Sequence, residues 1–322
     1  MASLSLDVAH GADDVDNGVS PGKADMNLNI PTWTLGGRQF WTDEMIHGQW
    51  RIQRNVISGH YRLLDPGNVR RAWGPWEACL ATWSDIKRER GIGNLEQRVV
   101  ILLHGLGRTR SSMKGMAEYL SSHGDFTVLS FSYASTRSTL VEDANSLARV
   151  LDHLEGVEEI NVVAHSMGNL VVRRLLGDQT RRDRAAVRLG RIVMLAPPNN
   201  GAELARRFRN NPLYKVILGV GGRQFTDQWD QLQNRLAVPN CEFGIIAGGA
   251  EKGEGRNPLL EGNDDLIVTV EETRLPGAHD FVVVPVTHTF MMDNDAVQQY
   301  TLRFLQCGFF ISQDRRRPIE NE

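Results

Sequence analysis

Cysteine is scarce: Cys79, Cys241 and Cys307 are the only three in 322 residues, with no C-x-x-C pair and no zinc-ligand spacing. That pattern excludes a disulfide scaffold and a cysteine-built metal site, and the thiols read as inert groups in a reducing compartment. A strong charge of either sign is missing too. The formal net charge of −3 gives no electrostatic reason for a nucleic-acid partner. Arginines gather between Arg173 and Arg188 and at Arg315, Arg316 and Arg317, and both groups read as solvated faces. No apolar run approaches the length of a bilayer span, so integral membrane association is not expected. The opening MASLSLDVAHGADD has neither a cationic n-region nor an apolar h-region, so no secretory signal is expected and the expected location is cytoplasmic.

What is present is ordinary in amount and regular in order. Hydrophobic residues make up 41% and charged residues 23%, and a chain of this size buries a core without staples. Residues 1–29 are polar and acidic, with Asp13, Asp14, Asp16 and Asp25, and read as a flexible leader. Residues 30–322 read as a single domain whose first part, 30–95, is an extension. In that extension Trp50–Val56, the turn Ile57-Ser58-Gly59 and HYRLLD predict a β-hairpin, and the spacing of Trp76, Cys79, Leu80, Trp83 and Ile86 predicts a helix ending near Gly91.

From Arg98 onward strands and helices alternate. RVVILL (98–103), FTVLSFS (126–132), EINVVA (159–164) and RIVMLA (191–196) predict buried strands, separated by helices over 112–123, 139–154 and 167–176. CEFGIIAG (241–248) and FVVVPV (281–286) add two strands, and 295–305 a closing helix. This order predicts an α/β fold with a mostly parallel sheet, helices on both faces and right-handed crossovers. The alternation lapses at 202–238, where Leu213, Val216, Ile217 and Val220 share a helical face; the segment is either a cap over the site or a peripheral helix.

Ala164-His165-Ser166-Met167-Gly168 stands between a buried strand and a helix. A serine alcohol needs a constrained, exposed position and a neighbouring base to act as nucleophile. A sharp strand-to-helix turn with small residues two before and two after supplies that position, and aims the Met167 amide and the helix N-terminus at oxyanion charge. His104-Gly105-Leu106-Gly107-Arg108 follows the first long strand, where glycine permits a turn that brings the Leu106 amide to the same oxyanion. His104 precedes the serine and reads as a structural residue beside the site.

HGLGRT, AHSMGN, LAPPNNGAE and the tail NDDLIVTVEETRLPG…VTHTFMM together resemble the α/β-hydrolase lipases and esterases, over about 99–305. The resemblance implies the triad order Ser, Asp, His. It implies His288, just past the strand FVVVPV, as general base, whereas His279 precedes that strand and faces away. The family's N-D-G-x-V stretch implies Asp264 as the acid, with its glycine replaced by Asp265, and Asp265 is the fallback. The loop at 195–203 implies that Asn199 and Asn200 shape the substrate site, with His104, Gly105 and His165 lining it. The implied reaction is ester cleavage on a small-molecule or lipid ester, with no metal or organic cofactor. Acyl transfer, thioester cleavage and a non-catalytic binding module on the same scaffold remain open.

Overall fold

In the six central strands apolar side chains alternate between two cores. A computed structural model describes residues 32–33, 39–178, 188–201, 232–250, 255–257 and 260–320. The leader 1–29 lies outside them, as do residues 202–231 of the expected excursion at 202–238, including Leu213, Val216, Ile217 and Val220. In β6 (Arg98–Leu103), Val99, Ile101 and Leu103 enter one core while Val100 and Leu102 enter the other. The two-residue period of a strand divides the run in this way, so a strand covered on both faces reads as continuously apolar.

The six-stranded sheet has the order β11 (Asp280–Val284), β10 (Phe243–Gly248), β9 (Leu189–Leu195), β8 (Glu159–His165), β6, β7 (Thr127–Phe131), and every pairing is parallel. Parallel neighbours require crossovers, and helices supply them on both faces. Helices α3 (Leu140–Asp152) and α4 (Met167–Leu176) bury Leu147, Val150, Leu170 and Val171 in the first core. Helices α2 (Lys114–His123) and α5 (Asp295–Cys307) bury Met116, Leu120, Val297 and Phe304 in the second. Each helix starts or stops where local chemistry dictates. Thr139 and Glu142 form a reciprocal capping box at the start of α3, and Gly308 closes α5 in the left-handed region at φ 77°.

The extension holds more than a hairpin. Five antiparallel strands run in the order β1 (Thr32–Trp33), β5 (Val69–Gly74), β4 (Tyr61–Leu64), β3 (Trp50–Asn55), β2 (Trp41–His47). Helix α1 (Trp76–Glu89) covers one face, and Met45, Trp50, Ile52, Leu63, Cys79 and Trp83 make a separate small core. The end strand β2 meets the edge of the parallel sheet: the Asp43 amide donates to the Ser132 carbonyl at 2.8 Å, and the Ser132 amide returns a bond to the Asp43 carboxylate at 2.8 Å. Arg149 of α3 donates from both Nε and Nη2 to the fully buried Glu44. The extension therefore closes the β7 edge, which an unpaired strand would leave open to association. Among the described residues no helix is long and apolar enough to cross a membrane.

Candidate active site

The loops at the C-terminal ends of β6, β8, β10 and β11 hold the candidate catalytic residues. Ser166 occupies the turn from β8 into α4 at φ 53°, ψ −122°, a region that L-residues rarely adopt and that persists only where the surroundings enforce it. They do so here with hydrogen bonds. The Ser166 amide donates to the Leu195 carbonyl at 2.9 Å, while Asn169 Nδ2 donates to the Ser166 carbonyl at 3.0 Å and to the Leu195 carbonyl at 3.3 Å. A Cβ on Gly168 would lie 2.9 Å from Leu103 Cβ and 3.0 Å from the Leu103 and His104 carbonyl oxygens, so only glycine lets α4 start this close to β6. Ser166 is left partly exposed at the tip.

His165, one residue earlier, is buried and turned inward. Its Nε2–H donates to the His288 carbonyl at 3.0 Å, and the two rings lie 4.7 Å apart. Burial, then the nearby His288, hold the His165 imidazole well below its usual pKa, so it is neutral at pH 7. The elbow is thus tied directly to the loop that carries His288.

His288 is paired with Asp265. Its Nδ1 lies 2.7 Å from Asp265 Oδ2, and its amide donates to the Asp265 carbonyl at 2.9 Å. The other carboxylate oxygen, Oδ1, accepts from the Ile267 and Val268 amides at 3.0 and 2.8 Å. Asp265 is fully buried over Gly248, where a Cβ would come within 2.7 Å of the Asp265 Cβ. The expectation that Asp264 partners the histidine is corrected by this geometry. Asp264 turns into its own loop, where its carboxylate accepts from the amides of Arg256 (2.8 Å), Asn257 (3.1 Å) and Leu266 (2.7 Å). The physical reason is register. Moved one residue along, N-D-G-x-V falls on Asp264-Asp265-Leu266-Ile267-Val268, and Leu266 then stands at the glycine position with φ 85°. A leucine in a glycine conformation concealed that register. His279 lies at the opposite ends of β10 and β11, its amide donating to the Phe243 carbonyl.

The turn after β6 approaches the elbow from the other side. A Cβ on Gly105 would stand 3.1 Å from both His165 Nδ1 and Ser166 Cβ, which explains the glycine. Among the described residues no oxygen accepts from the amide of Leu106 or of Met167, while the amides beside them are engaged: Gly107 donates to Ser135 Oγ at 3.0 Å, Arg108 to the Gly105 carbonyl at 3.2 Å, and Asn169 to the Ser166 carbonyl at 3.0 Å. Gln39, which nothing in the sequence singled out, braces this turn from the extension. Its Nε2 donates to the Arg108 carbonyl at 2.7 Å and its Oε1 accepts from Thr136 Oγ1 at 2.7 Å.

Most of the expected substrate-lining side chains serve the scaffold. His104 is buried, its Nδ1–H donates to the Gly105 carbonyl at 2.9 Å, it stacks on Tyr133, and burial pushes its pKa down to about 4. Asn199 is buried with both ends occupied, Oδ1 accepting from Arg173 at 2.9 Å and Nδ2 donating to the Thr273 carbonyl at 2.8 Å. Asn200 is exposed and its Nδ2 donates to the Arg274 carbonyl at 3.1 Å. His104, His165 and Asn199 therefore act through burial and bonding to neighbours, and their side chains have no access to a substrate.

Residues 70–231, half of the chain, match the family described as Domain of unknown function, DUF7379. The chain belongs to that family. The DUF7379 stretch carries the Gly105–Arg108 turn and the turn at Ser166, while Asp265 and His288 lie beyond its end. No curated protein matches the sequence. Among solved structures, phospholipase PlaB from Legionella pneumophila in complex with thio-NAD aligns with a TM-score of 0.50 and 18% identity, over 67% of this chain and 59% of that one. The mature lipase BlEst2 from Bacillus licheniformis aligns at 0.47 and 18% identity, over 61% and 87%. A thermophilic esterase from Thermogutta terrifontis aligns at 0.44 and 19% identity, over 66% and 91%. The likeness to the phospholipase, with the six-stranded parallel sheet and its two helical layers, shows an α/β-hydrolase fold. These neighbours are a phospholipase, a lipase and an esterase.

Proposed function

We propose that this protein is a serine hydrolase that cleaves carboxylic esters through an acyl-enzyme on Ser166. The observation that carries the reading is the buried Asp265–His288 pair, whose His288 carbonyl accepts from His165, the residue next to a serine in a strained strand-to-helix turn. Asp265 accepts from His288 Nδ1, which leaves Nε2 as the basic nitrogen and stabilises the imidazolium formed when it takes the Ser166 proton. The serine oxygen then attacks the ester carbonyl, and the amides of Leu106 and Met167 supply donors for the developing oxyanion. His288 returns the proton to the leaving alcohol, and water attacks the acyl-enzyme by the same route. No step calls on a metal or an organic cofactor.

Turnover of p-nitrophenyl esters of graded acyl length by wild type and Ser166→Ala tests this. Wild type is expected to hydrolyse them, and a folded Ser166→Ala protein to lose on the order of 10⁴-fold or more in kcat. If wild type turns over none, labelling with a fluorophosphonate separates the remaining readings. A labelled Ser166 then indicates acyl transfer or thioester cleavage, and an unlabelled one a binding module.

A further inference from the structure

On the side of the molecule where the two sheets meet, a cleft of about 450 Å³ runs between the β2–β3 turn and the segment leading into α2. Its walls include Gln49 and Arg51 from the extension, Arg110, Ser111, Lys114 and the carboxylate Glu118 from the opposite segment, and Ser130 of β7. A volume of this size suits a small molecule or a headgroup.

The charges around it are unbalanced. Arg51 lies beneath the surface with its side chain 4% exposed; its Nη1 donates to Asp43 at 2.6 Å and to the Ser130 carbonyl at 2.9 Å, and its Nε is buried with no partner. Asp43 therefore answers one guanidinium. Arg110 has no such answer: its Nη2 donates to the neutral Asn68 side chain at 3.0 Å, and among the described residues it forms no ion pair. Burial and the charge of Arg51 both hold the Arg110 guanidinium below its usual pKa, which marks an uncompensated cation, and Asp43 offsets this only in part. Lys114 pairs with Glu118 at 3.4 Å, with both side chains largely in solvent, where such a pair is weak. Two guanidiniums and an ammonium thus line one opening, and Asp43 and Glu118 balance them only in part.

We propose that this cleft binds a phosphate group, carried either by a soluble phosphomonoester or by a lipid headgroup. A guanidinium fork and an ammonium are the partners that phosphate oxygens take, and the cations outnumber the carboxylates beside them. The site involves none of the residues assigned to ester cleavage and stands apart from that assignment.

Calorimetric titration of the full chain at fixed ionic strength tests it, with inorganic phosphate, then glycerol 3-phosphate, then phosphatidylcholine vesicles with and without phosphatidic acid. Saturable binding is expected, weakened roughly tenfold or more in Arg110→Gln and in Lys114→Gln, the loss of one charged hydrogen bond. Both side chains reach solvent, and circular dichroism checks the fold of each variant. Binding of the soluble phosphates identifies a soluble ligand; binding only of vesicles that contain phosphatidic acid identifies a headgroup. Absence of saturable binding to all of them overturns the proposal, as does undiminished affinity in the folded variants.

Discussion

Asp264 and Asp265 are neighbours in the chain and equally buried, yet among the described residues one accepts only from backbone amides and the other holds an imidazole. Exchange for asparagine separates them. Asp265→Asn is expected to lower kcat on the order of 10³- to 10⁴-fold with the fold intact, because an amide no longer fixes the tautomer of His288. Asp264→Asn is expected to keep kcat within about tenfold and to lower Tm, because three amides lose a charged acceptor. Steady-state kinetics with thermal melts read both, and a reversal of the two phenotypes would return the acid role to Asp264. Leu266 gives a second residue-level test. Held at φ 85° and 43% exposed, it is strained and buries little. Leu266→Gly relieves about 1–2 kcal/mol of left-handed strain against about 0.5–1 kcal/mol of added chain freedom, for a net gain of up to about 1.5 kcal/mol. A small rise in Tm is expected, and a fall would show that the leucine side chain contributes packing. The elbow was legible at this scale because Ser166 stands between a strand and a helix with Ala164 and Gly168 around it. The acid was not, since two adjacent carboxylates carry no mark of which way each side chain turns.

At the scale of elements, α3 carries a buried carboxyl against the extension. Asp143 is fully buried, its Oδ1 accepts from Ser138 Oγ, its Oδ2 has no partner, and burial pushes its pKa up to about 8. An ordinary unfolded carboxyl ionises near 3.8. Between those values the native state keeps a proton that the unfolded chain has released, so this group's contribution to stability falls as pH rises from about 4 to about 8 and is level above. Asp143→Asn holds the neutral shape and removes the dependence. The Tm of the variant relative to wild type is therefore expected to climb between pH 5 and pH 8, and a constant difference would refute the buried neutral acid. The elements themselves were read unevenly. β6 through α4, with β9, β10 and α5, fall within a few residues of their expected bounds, because buried parallel strands and amphipathic helices write their periods into the chain. Strands β2 and β5 were missed: Asp43, Glu44, Arg70 and Arg71 interrupt their apolar pattern, and the charges of Asp43 and Glu44 are satisfied only by β3 and α3 in the folded protein.

For the whole molecule, the order of strands and helices was enough to assign the class of fold, since alternation leaves a parallel sheet few ways to form. The five-stranded sheet added at its edge could not be read in that way, because its docking rests on bonds between residues far apart in the chain, such as Asp43 with Ser132 and Glu44 with Arg149. The bond from His165 to the His288 carbonyl spans a still longer stretch, closing a loop of 123 residues. On a ribosome, the elbow emerges long before the strand and loop that complete it, and long-range contacts of this kind form late. A nascent chain therefore displays its serine turn before the loop of His288 exists. On the proposed reading as an ester hydrolase, that order of events keeps an unfinished chain inert.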